Sequence, residues 1–361
     1  MANRKTIFRG KNANIKLIAL VLVIVIAAIF VLFGEDIIGT KTNSDTETGG
    51  VTSYTTTDPA PSSGVVDLDD STFSVHFVDI GQGDAIVVRL PDGVDIIVDA
   101  GSGTNESSAT TDDYLAYLSA IDIGTIDYMI ITHAHSDHMN MADNVLTMFD
   151  VENIYFNDYD TEPTTNYYQE FLTAVDKEGA NIERFDEDGD IYVIESAEGA
   201  EEEYTVTIFA PGYDRDSNTN NNSPFILVEY AGRSLLLTGD AEVEAEEWFI
   251  EYCQANKIEI NIDLLKVGHH GSSTSSSQAF IEFIDPEYGV ISSGAGNSYG
   301  HPTAETMATL AAYGVATYRT DTHGDVVFVV DSEGNFVFMV QNAVSAENNT
   351  ANFEEYMVEI S

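Results

Sequence analysis

The sequence predicts a mixed α/β fold in which two β-sheets pack face to face and helices cover their outer sides. Three observations point there. Short apolar strands punctuated by glycine begin at Phe73 and run as a meander to Gly101. Beyond that point helix-length and strand-length segments alternate. Several of the strands then run out into loops that carry histidine or aspartate.

Taken in order, Phe73–Ile80 alternates as a half-buried strand does, and Gly81-Gln82-Gly83-Asp84 breaks it before Ala85–Leu90. Asp92-Gly93 marks a turn, and Ile96–Asp99 is the next strand. A helix is expected around Thr111–Ile121, followed by the apolar run Tyr128–Ile131. Further strands are expected at Ile154–Phe156, Tyr192–Glu195, Tyr204–Phe209, Phe225–Tyr230, Ser234–Thr238, Leu264–Val267, Tyr288–Ser292 and Asp325–Asp331. Helices are expected at Tyr167–Glu178, Ala241–Asn256, Ser277–Ile284 and Ala304–Tyr313. The acidic segment 185–203 reads as a surface hairpin and loop.

The N-terminal region has a different character. Residues 1–16 are basic, and Leu17 to Gly34 carries no charge over eighteen residues. A helix of that length spans roughly 27 Å, enough for a bilayer core. Basic residues precede it and acidic ones follow, which places the N-terminus in the cytoplasm and the remainder outside. A cleaved signal peptide is the rival reading. Its apolar region is usually shorter and followed by small residues, whereas Ile29-Phe30-Val31-Leu32-Phe33 follows Ala28. The expectation is an uncleaved anchor in the cell membrane. Residues 35–72, rich in Thr, Ser, Gly and Asp, read as a flexible extracellular linker. The folded domain is expected over 73–341, and 342–361 reads as a polar tail.

The net charge is −47, and it is unevenly spread. Five of the fourteen basic residues precede Glu35, leaving nine against sixty-one acidic residues in the rest, about −52. Such a field repels nucleic acid at long range and argues against extensive phosphate-backbone binding. It serves the solubility of a secreted protein equally well. The single cysteine, Cys253, can form no internal disulfide and reads as a small core residue near a helix end.

The chemistry concentrates in Thr132-His133-Ala134-His135-Ser136-Asp137-His138. In an extended segment residues two apart point the same way, so His133 and His135 can grip one ion. Asp137 and His138 then turn towards a neighbouring position, as at the start of a helix. Imidazole and carboxylate suit zinc, or manganese where oxygen predominates. Five histidines fall in two short clusters, and Asp240 ends the apolar strand Leu235–Thr238, so a two-metal hydrolase fits better than an idle His-rich loop. Taken alone, Asp240 would read as the N-cap of the following helix. In Lys266-Val267-Gly268-His269-His270-Gly271-Ser272 one imidazole completes the second position while the other touches substrate or orients a ligand. His301, in Asn297-Ser298-Tyr299-Gly300-His301-Pro302, either meets a phosphoryl oxygen or leaving group or is a surface-turn histidine.

These strings, with Phe77-Val78-Asp79-Ile80-Gly81-Gln82-Gly83-Asp84-Ala85 before them, resemble the metallo-β-lactamase superfamily, and within it the hydrolase domain of ComEC-type competence proteins. The resemblance covers about 73–341. It implies a four-layer αββα sandwich with two divalent cations, zinc or manganese, at one edge of the sheets. Carried over, the first cation takes His133, His135 and Asp240; the second takes Asp137, His138, Asp240 as a bridge, and His270. The superfamily often adds a third histidine to the first cation, but none lies between His138 and Asp240. Asn222-Ser223 stands in that place, so Asn222, water or substrate is expected there. The family's glycines after the cluster are replaced by Asn140 and Met141, of which asparagine tolerates positive φ. The large membrane domain of ComEC proteins is not in this sequence, so a stand-alone relative is expected.

The resemblance implies hydrolysis of a phosphodiester, small or polymeric, with Asp137, His269 and His301 in catalytic roles and Asn222, Ser223 and Ser272 near the substrate. Opening of a lactone or β-lactam ring on the same site is the first alternative. A non-catalytic surface binding domain is the second, and a set of six ionisable ligands speaks against it.

Overall fold

The computed structural model describes residues 72–103, 108–159, 162–185, 191–197, 199–200, 202–211 and 218–341. The anchor expected at 17–34, the segment before it, the linker to residue 71 and the tail from 342 lie outside the described residues. Among the described residues no helix is long and apolar enough to cross a membrane.

Eight strands form the first sheet. They are β1 (Phe73–Phe77), β2 (Ala85–Arg89), β3 (Asp95–Ala100), β4 (Thr125–Ile130), β5 (Asp150–Asn157), β6 (Asn181–Phe185), β14 (Val326–Val330) and β15 (Phe336–Val340), in the spatial order β15-β14-β1-β2-β3-β4-β5-β6. The second sheet, ordered β13-β12-β11-β10-β9-β8-β7, holds β7 (Ile191–Glu195), β8 (Tyr204–Phe209), β9 (Phe225–Tyr230), β10 (Arg233–Leu237), β11 (Leu264–Lys266), β12 (Tyr288–Ile291) and β13 (Ala316–Arg319). Helices α1 (Ser108–Ala120), α2 (Ser136–Met139), α3 (Ala142–Met148) and α4 (Asn166–Glu178) go with the first sheet. Helices α5 (Val243–Asn256), α6 (Gln278–Ile284) and α7 (Ala304–Ala312) go with the second, and a short α8 (Thr320–His323) follows β13.

Alternation along the strands builds the layers. Ile86 and Val88, Ile96 and Val98, Tyr128 and Ile130 face inward and meet Ile226, Val228, Leu235 and Leu237 of the other sheet. The intervening Val87, Ile97 and Met129 face outward onto Tyr114 and Leu118 of α1, Val145 of α3 and Phe171 of α4. On the far side Leu227, Leu236 and Leu265 pack against Phe249 of α5 and Ile281 of α6. The result is the expected αββα sandwich. Cys253 is buried in this last layer.

Helix ends follow local chemistry. Ser277 caps α6 by accepting from Phe280 N at 3.2 Å, and Thr303 caps α7 by accepting from Thr306 N at 3.3 Å. Gly179 ends α4 in the left-handed conformation, φ 74°. Residue 242, not Asp240, is the N-cap of α5, so the capping alternative for Asp240 does not hold.

Five elements escape the sequence reading: β6, β13, β15, α3 and α8. β6 and β13 are edge strands with mixed polarity, half exposed, so alternation is weak. β15 has a clear strand composition. It is set in place by Asp331, whose Oδ1 accepts from Glu333 N at 3.0 Å and Asn335 N at 2.9 Å to close the hairpin. The expectation of positive φ at Asn140 is also corrected, because its φ is −70°. Asn140 instead clamps the preceding loop: its Oδ1 accepts from Ser102 N at 2.8 Å and its Nδ2 donates to Ser102 O at 2.6 Å.

Candidate metal centre

Strands β3 and β4 are parallel in one sheet, and β10 and β11 are parallel in the other. All four send their C-terminal ends to one edge of the sandwich. They deliver Asp99, the His133–His138 cluster, Asp240 and the His269/His270 pair to one place. That edge is where ligands of open parallel sheets gather.

The first loop is held by its backbone. Asn157 Nδ2 donates to Thr132 O at 2.6 Å, and Tyr159 OH accepts from Ala134 N at 2.9 Å. Glycine allows the closest approaches. A Cβ on Gly83 (φ +143°) would meet the carbonyl oxygens of Gly101 and Asp137, and one on Gly101 would meet the backbone of Asp137 and His138. The Gly81-Gln82-Gly83 turn therefore lies directly under α2, and Asp84 N donates to Asp137 O at 2.9 Å.

Asp240 is buried at the centre, and its two oxygens face different partners. Oδ1 lies 3.2 Å from His138 Nε2 and 3.5 Å from His270 Nε2, while Oδ2 lies 3.6 Å from His269 Nε2 and 3.9 Å from His133 Nε2. Asp137 Oδ2 joins the Oδ1 side, 3.5 Å from His270 Nε2. His135 stands beside His133, with Nδ1 3.0 Å from His133 Nε2.

The outward nitrogens fix the tautomers. His138 Nδ1 donates to Asp99 Oδ2 at 2.7 Å, and His270 Nδ1 donates to the Ser292 carbonyl at 2.9 Å. Thr132 Oγ1 donates to Asp99 Oδ2 at 2.7 Å and so accepts from His133 Nδ1 at 3.1 Å. In each neutral imidazole Nε2 then carries the lone pair and faces Asp240, as ligating histidines are oriented.

Charge follows from the same geometry. Burial opposes ionisation of Asp240, but His138 and His270 outweigh it and hold the carboxyl well below its usual range. Burial likewise opposes charge on His138, and the carboxylates of Asp240 and Asp99 overcome it and raise its pKa well above the ordinary value, so a cation that takes Nε2 as a ligand would displace a proton from it. His133 and His135 go the other way, lowered first by burial and then by His138, and stay neutral as ligands must.

Two features fit this cluster to cations. Asp240 Oδ1 is buried with no hydrogen-bond donor, and the Nε2 atoms of His138 and His270 face each other at 3.3 Å. Lone pairs brought together in a dry site are costly unless a positive charge lies between them. The trios His133–His138–Asp240 and Asp137–His138–His270 each place their ligand atoms within 4.8 Å of one another, as does Asp84–Asp240–His270.

The remaining expected residues stand around this core. His301 is half-buried, its ring centroid 5.6 Å from that of His269 and 5.8 Å from that of Tyr299. Asn222 and Ser223 are completely buried, and Ser223 Oγ accepts from Asp240 N at 3.1 Å, behind the ligands. Ser272, also buried, meets Thr274 Oγ1 at 3.0 Å. The sequence reading gave no role to Asp84, Asp99, Lys266 or Glu242. Lys266 was the visible signal among them, a lone cation inside an apolar strand.

The sequence model of the metallo-beta-lactamase superfamily matches residues 78–295. ComE operon protein 3 of Bacillus subtilis is 29% identical over 267 residues, covering 70% of this chain and 32% of its own length. Recombination protein 2 of Haemophilus influenzae is 30% identical over 266 residues, covering 72% of this chain and 29% of its own. The chain thus spans about a third of the length of these curated relatives. Among solved structures, the diiron β-hydroxylase CmlA of Streptomyces venezuelae aligns with a TM-score of 0.46 and 13% identity, covering 71% of this chain and 53% of its own. Zn(2+)-bound PqqB from Methylobacterium extorquens aligns with a TM-score of 0.39 and 11% identity, covering 68% and 97%. The chain belongs to the metallo-beta-lactamase superfamily, and its relatives include ComEC-type competence proteins.

Proposed function

We propose that the chain is a binuclear metal-dependent hydrolase that cleaves phosphodiesters outside the cell, tethered to the membrane through Leu17–Gly34. The observation that carries the reading is the division of Asp240, one oxygen towards His138 and His270 and the other towards His133 and His269. A carboxylate so placed would serve two cations. His133, His135 and Asp240 would hold one; Asp137, His138, Asp240 and His270 would hold the other. Zinc and manganese both suit this mixture of nitrogen and oxygen.

Two such cations, when bound, bring the pKa of water towards neutrality and stabilise attacking and leaving oxygens. The chain's own residues prepare the site for this. Asp99, Thr132 and Ser292 O keep the protons of His138, His133 and His270 on Nδ1, so that each Nε2 points inward. Burial, with His269 and His270 beside it, lowers the His301 pKa below the usual histidine value. His301 is therefore neutral near pH 7 and accepts a proton, or returns one to the leaving oxygen, at the open side of the cluster.

Phosphodiesters are favoured because two of the relatives are named a recombination protein and a competence protein. A net charge of −47 favours short or neutralised substrates over long duplexes. The test is turnover by the purified full-length chain loaded with Zn2+ or Mn2+. Bis-p-nitrophenyl phosphate and short oligonucleotides are compared with a lactone and a chromogenic β-lactam. Metal-dependent phosphodiester cleavage that disappears in D240N is the expected result. Ring opening without phosphodiester cleavage, or a metal-filled chain inert to all four, would overturn it. Protease accessibility of the domain on intact cells tests the extracellular placement.

A further inference from the structure

One cation position is short of a nitrogen: no histidine lies between His138 and Asp240 in the sequence. Asn222 occupies the corresponding stretch. The structure brings a different residue to the same side. His269 Nε2 lies 3.6 Å from Asp240 Oδ2, the oxygen that also faces His133. That separation is too long for a hydrogen bond. It is close to the spacing of about 3.4 Å expected between two ligands of one tetrahedral ion at ~2 Å from each.

The other face of the imidazole is held by a built clamp. His269 Nδ1 lies 3.1 Å from Thr274 Oγ1 and 3.2 Å from Glu242 Oε1. Thr274 Oγ1 itself donates to Glu242 Oε1 at 3.1 Å, so it accepts from the imidazole. Either partner keeps the proton on Nδ1 and frees the lone pair of Nε2. Glu242 is in turn fixed: Asn218 Nδ2 donates to its Oε2 at 2.8 Å, Asn220 Nδ2 to its Oε1 at 2.9 Å, and its N–H donates to Asn221 Oδ1 at 3.0 Å. A carboxylate behind an imidazole is how proteins orient a ligating histidine. An exposed substrate-touching histidine needs no such support.

The backbone supplies an independent observation. His269 and His270 are consecutive non-glycine residues at φ 50° and 53°, followed by Gly271 at φ 82°. Such a conformation is strained for a residue with a Cβ and is retained where the surrounding structure over-determines it. This conformation sends adjacent side chains to opposite sides of Asp240, His270 to Oδ1 and His269 to Oδ2.

We propose that His269 is the third nitrogen ligand of the cation position opened by His133 and His135, with Glu242 as its positioning residue. The proposal rests on the two-cation reading above. It makes Asn218, Asn220 and Asn221, just before Asn222, the support of the ligand that stands in for the missing histidine.

The test is isothermal titration of the metal-free full-length chain with Mn2+. Wild type should take up two equivalents. H269A should retain one and lose the other or bind it at least tenfold more weakly. E242Q, which keeps the size of the side chain, should weaken that same equivalent by roughly 10–100-fold. H133A combined with H269A should weaken it no further than H133A alone once the site is lost. If wild type takes up two equivalents and both H269A and E242Q do so with unchanged affinity, the assignment of His269 is overturned and the two-cation reading stands. A wild type that takes up fewer than two equivalents overturns both. If H269A loses the circular dichroism of the native fold, E242Q decides.

Discussion

Lys266 Nζ lies 2.9 Å from Asp84 Oδ2, and both side chains are completely buried. The lysine projects from β11 into the floor of the metal cluster. Asp84 Oδ1 lies 3.6 Å from His270 Nδ1, and Asp84 Oδ2 lies 3.9 Å from His138 Nδ1. The ammonium therefore offsets one of four carboxylates, with Asp99, Asp137 and Asp240, that crowd the same dry volume. Breaking a buried pair strands a charge and costs about 3–5 kcal/mol, whereas removing both members is far milder. K266M and D84N are each expected to lower unfolding free energy by that amount, and the double variant by less than either sum would require. Urea unfolding of the four proteins in a double-mutant cycle measures the coupling. Additive losses would show that the pair is not an energetic unit.

Asp99 is the residue on which the His138 tautomer depends. It sits at φ 60°, and its carboxylate accepts from Thr132 N, Thr132 Oγ1 and His138 Nδ1, each at 2.7 Å. An amide in its place presents a donor to Nδ1 and drives the imidazole proton to Nε2, where it blocks coordination. D99N should bind its metals about 10–100-fold more weakly while keeping the wild-type circular dichroism. Metal titration beside a spectrum checks this, and wild-type affinity would refute the role given to Asp99.

Glycine at position 101 is a packing requirement rather than a matter of flexibility. A Cβ on Gly101 would run into the backbone of Asp137 and His138, whereas one on Gly124 would meet nothing within 4 Å. G101A should push α2 off the sheet edge, cost roughly 1–3 kcal/mol and weaken metal binding together with stability. G124A, free of contact and of positive φ, should be neutral or stabilise by about 0.4–1 kcal/mol. Thermal melts with and without metal separate the two. Equal behaviour would sink the packing argument.

How much of this was legible in the sequence depends on how local each signal is. His133, His135, Asp137 and His138 announce themselves because four metal-ligating side chains crowded into six residues repel and desolvate one another unless a cation holds them. Asp240 and the His269/His270 pair were legible because each follows an apolar run that had to be a strand. Asp99 and Asp84 were not, since one ends a strand and the other sits in a Gly-Gln-Gly-Asp turn, places where aspartate is ordinary. Their meaning comes from β3 lying beside β4, and from Lys266 arriving from the other sheet. The role of Glu242 was hidden for the same reason: it depends on Asn218 and Asn220, more than twenty residues earlier, folding over the start of α5.

Glu246, one turn into α5, gives the domain a pH dependence of its own. Its side chain is buried, and it accepts from Ser276 N and from Ser277 N, the latter at 3.0 Å, tying the helix to the loop behind His270. Burial raises its pKa from 4.5 to about 7, with the two backbone donors working against the shift. A carboxyl with a raised folded-state pKa holds more protons folded than unfolded between those two values. Unfolding free energy then falls as pH rises through the window from 4.5 to about 7, and the loss is complete above it. The full effect is roughly 3 kcal/mol at most. Glutamine cannot ionise, so E246Q should lose this slope and gain on wild type as pH rises from 5 towards 8, after a constant cost for one weakened backbone bond of about 1 kcal/mol. Chemical denaturation of metal-free protein across that range gives both curves. Parallel curves for the two proteins would mean that Glu246 ionises in the fold as easily as it does in water.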